Sequence, residues 1–145
     1  MIKEFRQMIT TGQTIDDISK MINNYFRILK KNNPEIKIIY VAGKVTTNGD
    51  ARIAYNLEKL KEAARSLRKA TKDFVFSPAD IFNTKTYWRL NIPKPLHEKD
   101  FYIFWRRVLK NGVIDIYFAP KWEQSVGARD EHSTAKKIGL TIHYL

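Results

Sequence analysis

Residues 113–145 spell out a strand, a polar turn, a helix and a second strand, and that unit fixes the class of fold the rest of the chain can join. Val113-Ile114-Asp115-Ile116-Tyr117-Phe118-Ala119 is rich in β-branched and aromatic residues and is started by Asn111-Gly112, the composition of a buried strand. Lys121 to His132 supplies a polar turn that opens a helix, Gly139 stops the helix, and Leu140 to Leu145 reads as a last strand. Two strands joined through a helix form a βαβ unit.

The same alternation recurs upstream. Thr14, with Asp17 three residues on, starts an amphipathic helix whose Ile15, Ile18, Met21, Ile22, Tyr25, Phe26 and Leu29 share one face, and Pro34 ends it. Residues 35–42 read as the first strand, 51–69 as a helix with Ile53, Leu57, Leu60, Ala64 and Leu67 on one face, and 73–76 as a short strand. Residues 77–95 read as mostly irregular chain, and 96–110 as a helix with Phe101, Phe104, Trp105 and Val108 turned inward. The pattern predicts an α/β domain with a four- to five-stranded, mainly parallel sheet flanked by helices. Residues 1–34 form an N-terminal helical extension and 35–145 the α/β domain. In such sheets the ligand site lies at the carboxyl ends of the strands, where the turns after Tyr40 and Phe118 face each other.

Charge bounds the partners. Twenty-six Lys and Arg against 15 Asp and Glu leave a formal charge of +11, which suits an anionic partner. The cations are dispersed, as a solvated basic surface would have them, and no nucleic-acid fingerprint accompanies them. The absence of cysteine excludes disulfides and thiolate chemistry, and no apolar run is long enough to span a membrane. A cytoplasmic protein is the expectation.

Chemistry stands out in the turn before the last helix. Ser125 and Gly127 stand where a helix start leaves backbone N–H groups unpaired, an arrangement suited to an anion. Ala128, Glu131, Ala135 and Ile138 follow at i, i+3, i+7 and i+10, so Glu131 falls on the apolar stripe that packs on the sheet. A carboxylate there needs a partner or a shifted pKa, unless Asp130 and Glu131 simply favour the positive end of the helix. Gly43, Lys44 and Thr46 belong to a glycine-bearing strand-to-helix turn, which matches neither a dinucleotide fingerprint nor a P-loop. Tyr87 and Trp88 lie in the segment read as a loop, either as a base-stacking lid or as anchors to the core. His97, His132 and His143 lack metal-ligand spacing, so neither a metal nor a cofactor is expected.

Tyr40-Val41-Ala42-Gly43, His97-Glu98-Lys99-Asp100, and Trp122 with Ser125-x-Gly127-x-x-x-Glu131 and Ala135 together resemble the nucleoside 2-deoxyribosyltransferase and deoxynucleoside 5′-monophosphate N-glycosidase superfamily, including its compact phage-type members. The resemblance runs from about Ile38 to Tyr144 and implies a Rossmann-like domain. It implies Glu131 as nucleophile, Asp100 as the aspartate that positions and protonates the departing base, and Tyr40 beside the reacting sugar. Ser125, Gly127, Trp122, Gly43, Lys44 and Thr46 become substrate- or phosphate-binding positions. Lys44 and Thr46 depart from the Ser and Arg that monophosphate-hydrolysing relatives tend to carry after the glycine.

The expected function is therefore cleavage of the base–sugar bond of a nucleotide, a (deoxy)nucleoside 5′-monophosphate, through a covalent glycosyl intermediate. The alternatives are transfer of the sugar to a second base, a non-catalytic nucleotide-binding module using the same pocket, and a single-strand nucleic-acid binder. The resemblance also implies a homo-oligomer.

Overall fold

A computed structural model describes residues 1–46, 52–91 and 95–145 of the chain. It is an α/β domain on one four-stranded, all-parallel sheet, in which β1 (Ile38–Ala42), β2 (Phe74–Phe76), β3 (Asp115–Phe118) and β4 (Thr141–Tyr144) lie in the order β2-β1-β3-β4. From β1 the chain steps outward to β2 and then returns past β1 to β3. The two directions of travel put the connecting helices on opposite faces. α3 (Ile53–Ala70) packs Leu60 and Ala64 on Ile39, Val41 and Val75. α6 (Glu98–Lys110) and α7 (Val126–Ile138) cover the other face, where Tyr40, Phe76, Ile116 and Phe118 point. The strand order therefore reverses between β1 and β3, and a crevice opens beyond their carboxyl ends.

The residues preceding β1 are part of this core. α2 (Ile15–Asn32) starts at a capping box in which Thr14 Oγ accepts from Asp17 N–H at 3.0 Å and the Asp17 carboxylate accepts from Thr14 N–H at 3.2 Å. Its Ile18, Ile22 and Phe26 are buried on the sheet. A further helix, α1 (Ile2–Ile9), buries Phe5 and Ile9 there too, with the Phe5 ring edge-on to Tyr25 and Phe74. The segment 1–34 thus completes the helical layer over one face of the sheet.

Residues 77–91 are more regular than the sequence of the segment suggests. Ser77 and Asp80 form a capping box that starts α4 (Pro78–Ile81), with Pro at the first helical position, where it loses no hydrogen bond. The Asn83 carboxamide accepts from Thr86 N–H at 2.9 Å near the start of α5 (Thr84–Asn91). Short polar capping side chains, not an apolar period, specify these helices. Ile138, counted on the buried stripe of α7, is instead exposed in the last turn, just before Gly139 takes φ +77° and ends the helix. Among the described residues no helix is long and apolar enough to cross a membrane.

Candidate active site

The crevice at the switch point is a cleft of about 430 Å³. One wall is the end of β1 and the turn after it, with Gly43, Val45 and Thr46. The opposite wall is a stripe of α6, Glu98, Phe101, Tyr102 and Trp105 at i, i+3, i+4 and i+7. Ser125, Gly127 and Glu131 enter from the start of α7, and Pro78 and Phe82 close the side below β2. Gly43 is required by crowding: a Cβ there would stand 2.7 Å from Leu60 Cδ2 and 3.1 Å from Ala119 Cβ. The strand end is therefore held close to both α3 and β3.

α7 approaches the cleft by its N-terminus. Ser125 caps it, its Oγ accepting from Ala128 N–H at 3.2 Å, and a 3₁₀ turn (Trp122–Gln124) precedes it with Lys121 at φ +63°. One turn into α7, Glu131 is 6% exposed and still lines the cleft. Behind it lies Tyr40, fully buried on β1 with its ring between Phe76 and Trp105, at centroid distances of 5.1 and 4.9 Å. Tyr40 Oη and Glu131 Oε2 influence each other's protonation, yet neither atom has a hydrogen-bond partner of acceptable geometry.

Burial pushes the Glu131 carboxyl up to about 8; the Tyr40 hydroxyl works in the opposite direction, and Asp130 adds a smaller push upward. Burial and the Glu131 carboxylate together hold the Tyr40 hydroxyl well above the usual phenol range, so it is a neutral donor. Burial thus favours a protonated Glu131 at neutral pH. A ligand that develops positive charge beside it favours the carboxylate.

Of the residues singled out in the sequence, Gly43, Thr46, Ser125, Gly127 and Glu131 meet in the cleft wall. Lys44 stands at the rim, its Nζ donating to Gln124 Oε1 at 3.2 Å. Trp122 lies outside the wall. It stacks on His132 at 4.4 Å and leans on Phe118 at 4.8 Å, while His132 Nε2 meets Tyr144 Oη at 2.8 Å. Asp100 is also absent from the wall. Its carboxylate accepts the His97 N–H at 2.8 Å and so caps α6. Tyr87 and Trp88 fall on α5, but their side chains lie outside the described residues, as do positions 47–51 of the turn after β1.

The acidic side chain that α6 presents to the cleft is Glu98, with the Tyr102 hydroxyl donating to its Oε2 at 3.4 Å. In the sequence Glu98 is one charge in the polar run His97-Glu98-Lys99-Asp100, and only its position relative to Phe101 and Tyr102 on the folded helix sets it on this stripe. Among the described residues lining the cleft, two carboxyl groups and no Lys or Arg are present. No cluster of three or more His, Cys, Asp or Glu suited to a metal ion exists among the described residues.

No curated protein and no solved structure matches the chain. The family model of a domain of unknown function, DUF4406, matches residues 37–144, which span the whole sheet and every cleft residue named above, and the chain belongs to that family.

Proposed function

We propose that the protein cleaves the N-glycosidic bond of a nucleoside or nucleoside 5′-monophosphate, with Glu131 as nucleophile. The observation that carries this reading is the unpaired Glu131 Oε2, buried at the wall of an aromatic-lined cleft and one helical turn from an open helix start. A buried carboxylate without partners is costly to keep and is more often found where chemistry uses it. The resemblance of Ser125-x-Gly127-x-x-x-Glu131 to nucleoside 2-deoxyribosyltransferases and nucleotide N-glycosidases supports the same assignment, as does the aromatic wall, which suits a stacked base.

In the reaction, a Glu131 carboxylate oxygen bonds to C1′ of the sugar as the C1′–N bond breaks. The departing base keeps the electron pair and takes a proton from solvent. Water then adds to C1′ and gives up a proton, and the ester bond to Glu131 breaks to restore the carboxylate. Attack by a second base in place of water gives transfer. Tyr40 acts from behind, its hydroxyl stabilising the carboxylate whenever Glu131 ionises.

Incubation with a panel of nucleosides and 5′-monophosphates, followed by chromatography for free base, tests this. Glu131→Ala is expected to lower base release at least ~10³-fold with the fold intact, as loss of a nucleophile does. Release unaffected by that substitution removes Glu131 from the chemistry. A second reading, a non-catalytic nucleotide-binding module, is favoured by the engagement of Asp100 as a helix cap. It predicts binding of an intact ligand, retained in Glu131→Gln, with no base released. The resemblance also supports a homo-oligomer, which sedimentation in solution tests.

A further inference from the structure

We propose that Glu98 sets the charge selectivity of the cleft, so that the site accepts an uncharged 5′-hydroxyl end and rejects a 5′-phosphate. The inference rests on the reading of the cleft as a nucleoside site and names the substrate class within it.

The net charge of +11 points the other way, since a basic protein concentrates anions around itself. Inside the cleft the balance reverses. The start of α7, with Gly127 at its first turn, is the place where a phosphate would find backbone N–H groups. Glu98, an exposed residue, lines the same cleft. The Tyr102 hydroxyl donates to Glu98 Oε2 at 3.4 Å, and the same ring lies against Gly127, its Cε1 3.6 Å from where a Cβ on that glycine would be. One tyrosine ring therefore separates the Glu98 carboxylate from the helix start, and Glu131 lies one turn further in.

Three described cations near the α7 start are held by protein acceptors, and of these Arg106 is held by a counter-charge. Lys44 Nζ donates to Gln124, and Arg129 Nη1 donates to the Glu123 carbonyl at 2.6 Å. Arg106 is paired with Asp130 by two hydrogen bonds, at 2.5 and 3.0 Å. A phosphate at the α7 start meets the Glu98 carboxylate and the buried Glu131 carboxyl, whose ionisation it would oppose further, and among the described residues that wall contributes no compensating Lys or Arg. A 5′-hydroxyl carries no such cost, and it can donate to the Glu98 carboxylate, an acceptor-only group.

The test is equilibrium binding, followed by calorimetry, of one nucleoside and its 5′-monophosphate to Glu131→Gln, which prevents turnover, and to Glu98→Gln/Glu131→Gln. The single variant is expected to bind the nucleoside ~10-fold or more tightly than the monophosphate, and the second substitution to move that ratio ~10-fold toward the monophosphate, less so at high salt. Glutamine keeps the size and the Tyr102 contact, so a change of ratio reports charge. A monophosphate bound as tightly as the nucleoside, a ratio that Glu98→Gln leaves unchanged, or the binding of neither ligand overturns the proposal. Selective binding without base release from any nucleoside by the native protein leaves the Glu98 assignment standing and sinks only the glycosidase reading.

Discussion

Two carboxylates of this domain are buried to nearly the same depth, Asp80 at 4% exposure and Glu131 at 6%, and they live in opposite surroundings. Asp80, just past the end of β2, accepts from Arg6 Nε and Arg68 Nη2 at 2.7 Å each and from Ser77 N–H at 2.8 Å. It ties α1, α3 and α4 together below the sheet end. Glu131, one turn into α7, has an orphaned oxygen and a neighbouring phenol that does not complete a hydrogen bond. Burial with partners makes a carboxylate part of the architecture. Burial without them leaves a group whose proton affinity is displaced and whose free energy a ligand can lower. Depth alone does not separate the two roles; the count of donors does.

The largest effect expected from breaking this contrast falls on Asp80. Asp80→Ala leaves the Arg68 guanidinium, itself depressed by burial, without its counter-charge, and should lower stability by roughly 3 kcal/mol in denaturant unfolding. The estimate sits at the low end of the range for buried pairs because the Arg6 side chain is 42% exposed and can be rehydrated. A loss below about 1 kcal/mol would make Asp80 a surface pair in disguise.

Glu131→Gln should act in the opposite direction, and in a pH-dependent way. The unfolded glutamate releases its proton near 4.5 and the folded one near 8, so between those values the folded state holds the extra proton and stability falls as pH rises. Glutamine removes that decline. The variant should therefore be more stable than the native chain by roughly 2 kcal/mol at pH 6, with the gap closing toward pH 4.5 and widening toward pH 8. Thermal melts at three pH values measure it, and a gap that does not change with pH refutes the assignment of the shift to Glu131.

The smallest effect concerns the second acid inferred from the sequence. Asp100→Ala removes the α6 capping box and should cost about 1 kcal/mol. If base release falls far beyond what that loss explains, Asp100 reaches the substrate and α6 rearranges on binding. If it falls no further, the residue is a cap.

The periodicity of the sequence determined the alternation of strands and helices, the parallel sheet, the placing of a site at the ends of β1 and β3, and the inward direction of Glu131. Each of these follows from patterns of two or 3.6 residues read within one element. Tertiary structure decided the rest. It brought Asp80 to Arg6, 74 positions away, and it set the rotation of α6 about its own axis. Glu98 and Asp100 are two residues apart, about 200° around a helix, so only one of them can face the cleft. Local pattern marks which face of a helix is apolar, but a polar residue at the edge of that face is assigned to the cleft or to the cap by the neighbours it meets. Glu131 was legible because it breaks an apolar stripe, whereas Glu98 was not, because in the sequence it is one more charge in a polar run.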